Sequence, residues 1–276
     1  MSDRRLVSLP TNAIIPLRDI DKRPILETHH LGIDFGGLRA VDDFNLTIGR
    51  TEIAGLIGPN GAGKTTVFNL LTSVYQPTRG TVLLDGYDIK GKTVRQVNKM
   101  GMARTFQNIR LFGNVSVLDN VKIGMHNTIK TNFLASLTHG FGYRHTEKVC
   151  EDRCRELLDF FGMDHMRNYK AGSLPYGAQR RLEIVRALAT NPGIILLDEP
   201  AAGMNPSETA ELMENIKKIR DTFQIAIMLI EHDMNLVMGI CEGICVLNYG
   251  KVIAKGTPEQ IKNDPLVIEA YLGKKA

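Results

Sequence analysis

Ile53-Ala-Gly-Leu-Ile57, followed by Gly58-Pro59-Asn60-Gly61-Ala62-Gly63-Lys64-Thr65-Thr66, decides how this chain folds. The first five residues are a continuous apolar run, the pattern of a buried strand, and the run stops abruptly at Gly58. From there the residues match G-x-x-x-x-G-K-[ST]. The glycines let backbone N–H groups turn inward onto phosphate oxygens, and a helix that follows adds its positive N-terminal end. Lys64 would neutralise the β- and γ-phosphates of a nucleotide, while the Thr65 hydroxyl would hold Mg²⁺. A chance Gly-rich loop would not require the strand before it and the helix after it.

Outward from this motif the periodicities alternate between strand and helix. Phe44–Ile48 reads as a half-buried strand, and Val82–Leu84 as another, closed by the turn pair Asp85-Gly86. Beyond Pro192, Ile194–Leu197 is an apolar run suited to a central parallel strand. Asn205-Pro206 with Glu208 caps a helix whose buried face is Leu212, Ile216, Ile219 and Phe223. Gln224–Ile230 reads as the next buried strand, and Ile244–Leu247 and Val252–Ala254 flank a turn at Asn248–Gly250. The middle third is helical: Val149, Leu157, Leu158 and Phe161 mark one face, and Leu182, Val185, Leu188 and Ala189 another. The polar stretch Asn127–His145 reads as an insertion or long loop. These patterns predict an α/β sheet with an inserted helical subdomain. Residues 1–24, interrupted by Pro10, Pro16 and Pro24, read as an extension.

Ile194-Ile-Leu-Leu-Asp198-Glu199 carries the second chemical signal. An apolar strand ending in two acids sets carboxylates at the sheet edge where a phosphate ligand would lie. Asp198 is expected to orient Mg²⁺ through its water shell, and Glu199 to polarise an attacking water as general base. In isolation the pair could equally be acids that solubilise a strand end.

The 276 residues allow one large or two small domains, with 43% hydrophobic and 23% charged residues, as in soluble globular proteins. A net charge of +4, evenly spread, gives no argument for a nucleic-acid partner. No apolar run approaches the roughly 18 residues of a membrane-spanning helix, and Met1–Arg23 lacks the apolar core of a secretory signal. The chain is therefore expected in the cytosol, with other polypeptides crossing any membrane on which it works. Cys150/Cys154 and Cys241/Cys245 have i,i+4 spacing and read as reduced thiols along helix faces.

Several nucleoside triphosphatases share these two motifs, and further residues separate them. From about Ile25 onward the sequence resembles the ATPase subunits of ABC transporters. Gln107, in Ala103-Arg-Thr-Phe-Gln107, resembles the glutamine that contacts the metal and couples to the transmembrane subunit. His232 resembles the switch histidine that reaches the γ-phosphate. Phe35, before Gly36-Gly37, matches the aromatic that stacks on adenine, with core packing as the alternative. The family signature, normally Leu-Ser-Gly-Gly-Gln, falls on Leu174-Pro175-Tyr176-Gly177-Ala178, where it would face the ATP of a partner subunit. Pro175 offers neither the hydroxyl nor the N–H of the usual Ser, and Asn205 replaces the acid common after the second motif.

The resemblance implies a P-loop NTPase of the ABC ATPase fold. A RecA-like core sheet is expected with an antiparallel β subdomain, a helical subdomain over about 108–190 and a helical tail over about 257–273. Arg104–Phe112, Glu199–Pro206, Ile230–Met238 and Gly256–Gly273 are similar to the LivG-type ATPases of branched-chain amino-acid importers. That likeness implies ATP and Mg²⁺ as cofactors and a peripheral site on the cytoplasmic face of the inner membrane. It also implies two transmembrane permeases, a second ATPase subunit (a homodimer being the alternative) and, indirectly, a periplasmic amino-acid-binding protein. Rival readings are a urea- or amide-importing or a lipid- or polysaccharide-exporting ABC system, a soluble ABC ATPase, or a small-molecule kinase. The kinase gives no role to Gln107, the Leu174 region or His232. The altered signature leads to an expectation of two unequal ATP sites, the weaker one completed by Pro175.

Overall fold

The computed structural model describes residues 24–125 and 141–272. The expected extension, apart from Pro24, and most of the expected insertion lie outside them. The described chain divides into a unit formed by Asn108–Pro192 and a second unit formed by the segments on either side of it.

The second unit holds two sheets. Strands β1 (Leu26–Phe35), β2 (Leu38–Ile48), β4 (Arg79–Leu84) and β5 (Tyr87–Asp88) form an antiparallel sheet in the order β2-β1-β4-β5. A six-stranded sheet runs β10-β9-β3-β8-β7-β6, from β3 (Ile53–Ile57), β6 (Met102–Arg104), β7 (Ile194–Asp198), β8 (Ala226–Ile230), β9 (Gly243–Asn248) and β10 (Lys251–Gly256). Every residue of β3, β7 and β8 is buried, as expected for parallel strands covered on both faces. Only β10 runs antiparallel, at the edge. Helix α1 (Lys64–Leu71) contributes Val67, Phe68, Leu70 and Leu71 to a core shared by both sheets.

Register sets the site. Leu56 of β3 and Asp198 of β7 both pair with Ile230 of β8, so three strands end level. Their carboxyl ends make one edge, from which the phosphate loop, the acids and the residues after Ile230 emerge. Gly58 turns the chain there with φ 151, and a Cβ at this position would lie 2.0 Å from the Leu247 carbonyl oxygen. No other residue fits this turn.

Helix α2 (Val94–Lys99) leads to β6. After β7, α6 (Pro206–Phe223) begins with the expected device: Asn205 accepts from the Glu208 N–H, and Glu208 reaches back to the Asn205 N–H. Gln224, expected in the next strand, instead ends the helix with φ 52, so β8 starts at Ala226. Phe223 is half-buried. Helix α7 (Met234–Ile240) follows, and α8 (Pro258–Lys262) and α9 (Pro265–Leu272) close the described chain. Cys241 and Cys245 do not share a helix face: Cys241 ends α7 in extended geometry and Cys245 lies in β9. Both are buried, which pushes each thiol up to about 12.

In the first unit, α3 (Val117–Met125), α4 (Phe141–Phe160) and α5 (Tyr176–Leu188) pack together, with short 3₁₀ turns at Asp164–Met166 and Ala171–Ser173. Gly124 permits the close approach of α3 to α5, since a Cβ there would lie 2.5 Å from the Arg186 carbonyl oxygen. Helix α4 already begins at Phe141, inside the stretch expected to be a loop, and Gly162 with φ 65 follows its end. Leu157, Leu158 and Phe161 are buried as expected, but Val149 is exposed. Nine residues at roughly 100° per residue set Val149 half a turn away from Leu158.

Candidate active site

The phosphate loop runs from the end of β3 into α1, with positive φ at Gly58, Gly61 and Gly63. The Lys64 ammonium curls back into this loop and donates to the Gly58 carbonyl at 2.6 Å and the Pro59 carbonyl at 2.9 Å. Burial lowers its pKa, opposed by the charge of Glu199. Asn60 and Thr65 are exposed, Pro59 and Thr66 are half-buried, and Ala62 is buried under the loop. A separate cleft beside Pro59, Asn60 and Ala62 is walled by the β9–β10 turn and α9, and none of the expected catalytic side chains lines it.

Glu199 lies just beyond β7 with φ 48, a left-handed conformation that costs a non-glycine residue about 1–3 kcal/mol. Its N–H donates to the Ile230 carbonyl at 2.9 Å. The Gln107 amide donates to one carboxylate oxygen at 2.7 Å, and His232 Nε2 is hydrogen-bonded to the other at 2.8 Å. Three residues separated by up to 125 positions in sequence therefore meet at one carboxylate, with the Lys64 charge close enough to act on it. Strand register produces this meeting, because β6, β7 and β8 are neighbours.

Asp198 is engaged differently. Its Oδ2 accepts from Arg104 at 2.7 Å, in an ion pair whose side chains are only 6% and 5% exposed. Arg104 also donates to Asn69 Oδ1 at 2.7 Å and lies over the rings of Phe68 and Phe106. Sequence reasoning gave Arg104 no role. It also missed Glu231, which is 4% exposed and accepts from the N–H groups of Ala201 at 2.7 Å and His232 at 3.0 Å. Burial raises the Glu231 pKa against these hydrogen bonds. The Glu231 signal was present: an acid directly after an apolar strand, as at Asp198.

Phe35 is not a core residue. Its ring is 43% exposed and meets Tyr75 edge-to-face at 5.3 Å, which overturns the packing alternative. The Leu174–Gly177 segment lies in the helical unit. Leu174 is buried, Pro175 and Tyr176 are exposed, and Pro175 stands at the N-cap of α5 without a side-chain hydrogen bond. The Gln179 side chain donates to the Leu174 carbonyl at 2.8 Å, just before the helix. Behind it the buried Arg180 pairs with Glu183 at 3.2 Å.

A phosphate loop after β3, two acids at the end of β7 and a histidine just beyond β8, the strand between those two, are accompanied by a family match. Residues 41–202 match the ABC transporter family model. The chain belongs to the ABC transporter ATP-binding family. Residues 251–276 match a second model, described as branched-chain amino acid ATP-binding cassette transporter. Among curated relatives, the high-affinity branched-chain amino acid transport ATP-binding protein BraF of Pseudomonas aeruginosa is 47% identical over 91% of this chain and 99% of its own length. LivG of Escherichia coli K12, with the same description, is 48% identical over the same shares. The lipopolysaccharide export ATP-binding protein LptB of Escherichia coli K12 is 33% identical over 90% of this chain and 97% of its own. A solved ABC transporter cassette in its ADP conformation, MJ1267, aligns with a TM-score of 0.79 at 30% identity, covering 91% of this chain and 99% of that one. The fold is that of a P-loop ABC ATPase, an enzyme that couples ATP hydrolysis to transport.

Proposed function

We propose that this chain is the ATP-hydrolysing subunit of an importer of branched-chain amino acids, bound to the cytoplasmic face of a membrane through separate permeases. The observation that carries the hydrolytic role is the Glu199 carboxylate, held between Gln107 and His232 beside the Lys64 loop. The N–H groups of the Gly58–Thr66 loop, which Pro59 lacks, together with Lys64 hold the β- and γ-phosphates, and Phe35 packs on the adenine. Glu199 takes the proton of the attacking water, which replaces one of the two hydrogen bonds now on its oxygens. Gln107 fixes the orientation of that carboxylate, while His232, whose hydrogen bond the water replaces, turns toward the γ-phosphate.

Thr65, Asp198 and Gln107 offer oxygen donors of the hard type that Mg²⁺ takes, few enough for phosphates and waters to complete its shell. When bound, Mg²⁺ neutralises charge on the β- and γ-oxygens.

The transported solute never meets these residues, and the reading for it rests on likeness. Identity of 47–48% to BraF and LivG against 33% to LptB favours branched-chain amino-acid import over lipopolysaccharide export. The partners follow from this reading: two permeases, a second ATPase and a periplasmic binding protein. With Pro175 and Ala178 in the signature, the ATP site that this chain completes for its partner is the weaker of two. The test is reconstitution in liposomes with two permeases and a second ATPase subunit. Leucine-loaded binding protein should stimulate ATP turnover. No stimulation by leucine, isoleucine or valine would shift the assignment to another ABC system.

A further inference from the structure

Three sulfur atoms meet in the helical unit, away from the phosphate loop in sequence and from every residue given a role above. Met125 is the last residue of α3, and Cys150 and Cys154 lie one turn apart on α4, where i,i+4 spacing sets both thiols on one face. Met125 Sδ is 3.8 Å from Cys150 Sγ and 3.1 Å from Cys154 Sγ. Met125 and Cys154 are fully buried, whereas Cys150 is half-buried and forms the rim. Ordinary packing accounts for a methionine against one buried thiol, but not for a second thiol held at the mouth with a cation beside it. That cation is Lys122 of α3, whose Nζ lies 2.7 Å from Glu151 and whose charge acts on both thiols. The Cys150 thiol is lowered to about 7, first by its hydrogen bond with Cys154 and, against burial, by Lys122. Cys154 is pushed up by the same hydrogen bond and by burial.

We propose that Met125, Cys150 and Cys154 form a binding site for a soft monovalent cation, Cu(I). Thiolate and thioether donors select that ion, and three sulfurs, one of them a neutral thioether, do not by themselves make the closed four-ligand shell of structural zinc. On binding, each thiol releases its proton to solvent, two thiolate–copper bonds and one thioether–copper bond form, and no electron is transferred. The resulting complex carries one negative charge, which Lys122 balances. Glu147 and Glu151 act against it at the rim.

Anaerobic titration of the full chain with Cu(I), in competition with a chromophoric chelator such as bathocuproine disulfonate, tests the site. Roughly one Cu(I) per chain should be retained, X-ray absorption should show three sulfur neighbours, and Met125→Leu should reduce these to two. Cys150→Ser with Cys154→Ser should abolish retention. Cys241→Ser with Cys245→Ser should leave it unchanged. Lys122→Gln should weaken affinity by about 10-fold, the usual effect of an outer-shell partner. Thermal melts of each variant separate loss of the site from loss of fold. Retention undiminished in the folded Cys150/Cys154 variant, or no retention by the unaltered chain, would overturn the proposal.

Discussion

Replacing Arg104 with Met strips the Asp198 carboxylate of its ion-pair partner while keeping the apolar stem that lies against Phe68 and Phe106. The pair is 2.7 Å apart with side chains 6% and 5% exposed, so water cannot take over the role of the guanidinium. Removing one partner of such a buried pair costs about 3–5 kcal/mol, because a desolvated charge is left behind. The lost hydrogen bond to Asn69 falls within that range. For a chain of this size, each kcal/mol lowers Tm by about 2–4 °C, which gives a fall of roughly 6–20 °C. Differential scanning calorimetry without nucleotide reads this in the transition of the unit that carries β6 and β7. Adding Asp198→Asn removes the uncompensated charge and should recover most of the loss, whereas Asp198→Asn alone should also destabilise. Arg104→Met with an unchanged Tm, or a double variant as unstable as the sum of the singles, would refute the view that the pair acts as a unit.

Glu231→Ala leaves the Ala201 and His232 N–H groups without their acceptor, at about 1–3 kcal/mol for the buried Ala201 donor and less for the part-buried His232 one. Both Tm and kcat should fall, while Glu231→Gln, which keeps an acceptor, should recover part of each. Gly124→Ala drives a methyl to 2.5 Å from the Arg186 carbonyl and should cost about 1–3 kcal/mol by chemical denaturation. Alkylation of Cys150 by iodoacetamide, followed by peptide mass spectrometry, should rise with pH around a midpoint of about 7, below the ordinary thiol range. A midpoint near that of a free thiol would show that Cys154 and Lys122 do not act on it.

The parts legible in the sequence are those written in local patterns. Ile53–Lys64 reads as strand, turn and helix because five apolar residues and three glycines leave no alternative, and Asn205-Pro206-Ser-Glu208 spells a capping box. Where the outcome depends on partners distant in sequence, the reading ran short. Arg104 pairs with a residue 94 positions away, and nothing in Ala103-Arg-Thr-Phe-Gln107 marks it as buried. Helix α3 went unread because its nine residues offer little more than two turns of pattern. Cys241 and Cys245 share helical spacing, yet the buried sheet claims Cys245 and the helix stops at Ile240. Val149 is apolar but falls opposite the buried face of α4, so composition pointed the wrong way. At the candidate site, Glu199, Gln107 and His232 were each legible by order along the chain, while their meeting at one carboxylate follows only from the strand order β8-β7-β6.

ATP turnover by the reconstituted transporter carrying Glu199→Gln in this chain alone tests the central claim most directly. With Glu199 as the general base, turnover should fall by about 10²–10⁴-fold while ATP binding is retained, and the same change in the partner ATPase should be milder. Turnover close to that of the unaltered complex would contradict the assignment of Glu199. Equal loss from either subunit would contradict the inequality attributed to Pro175.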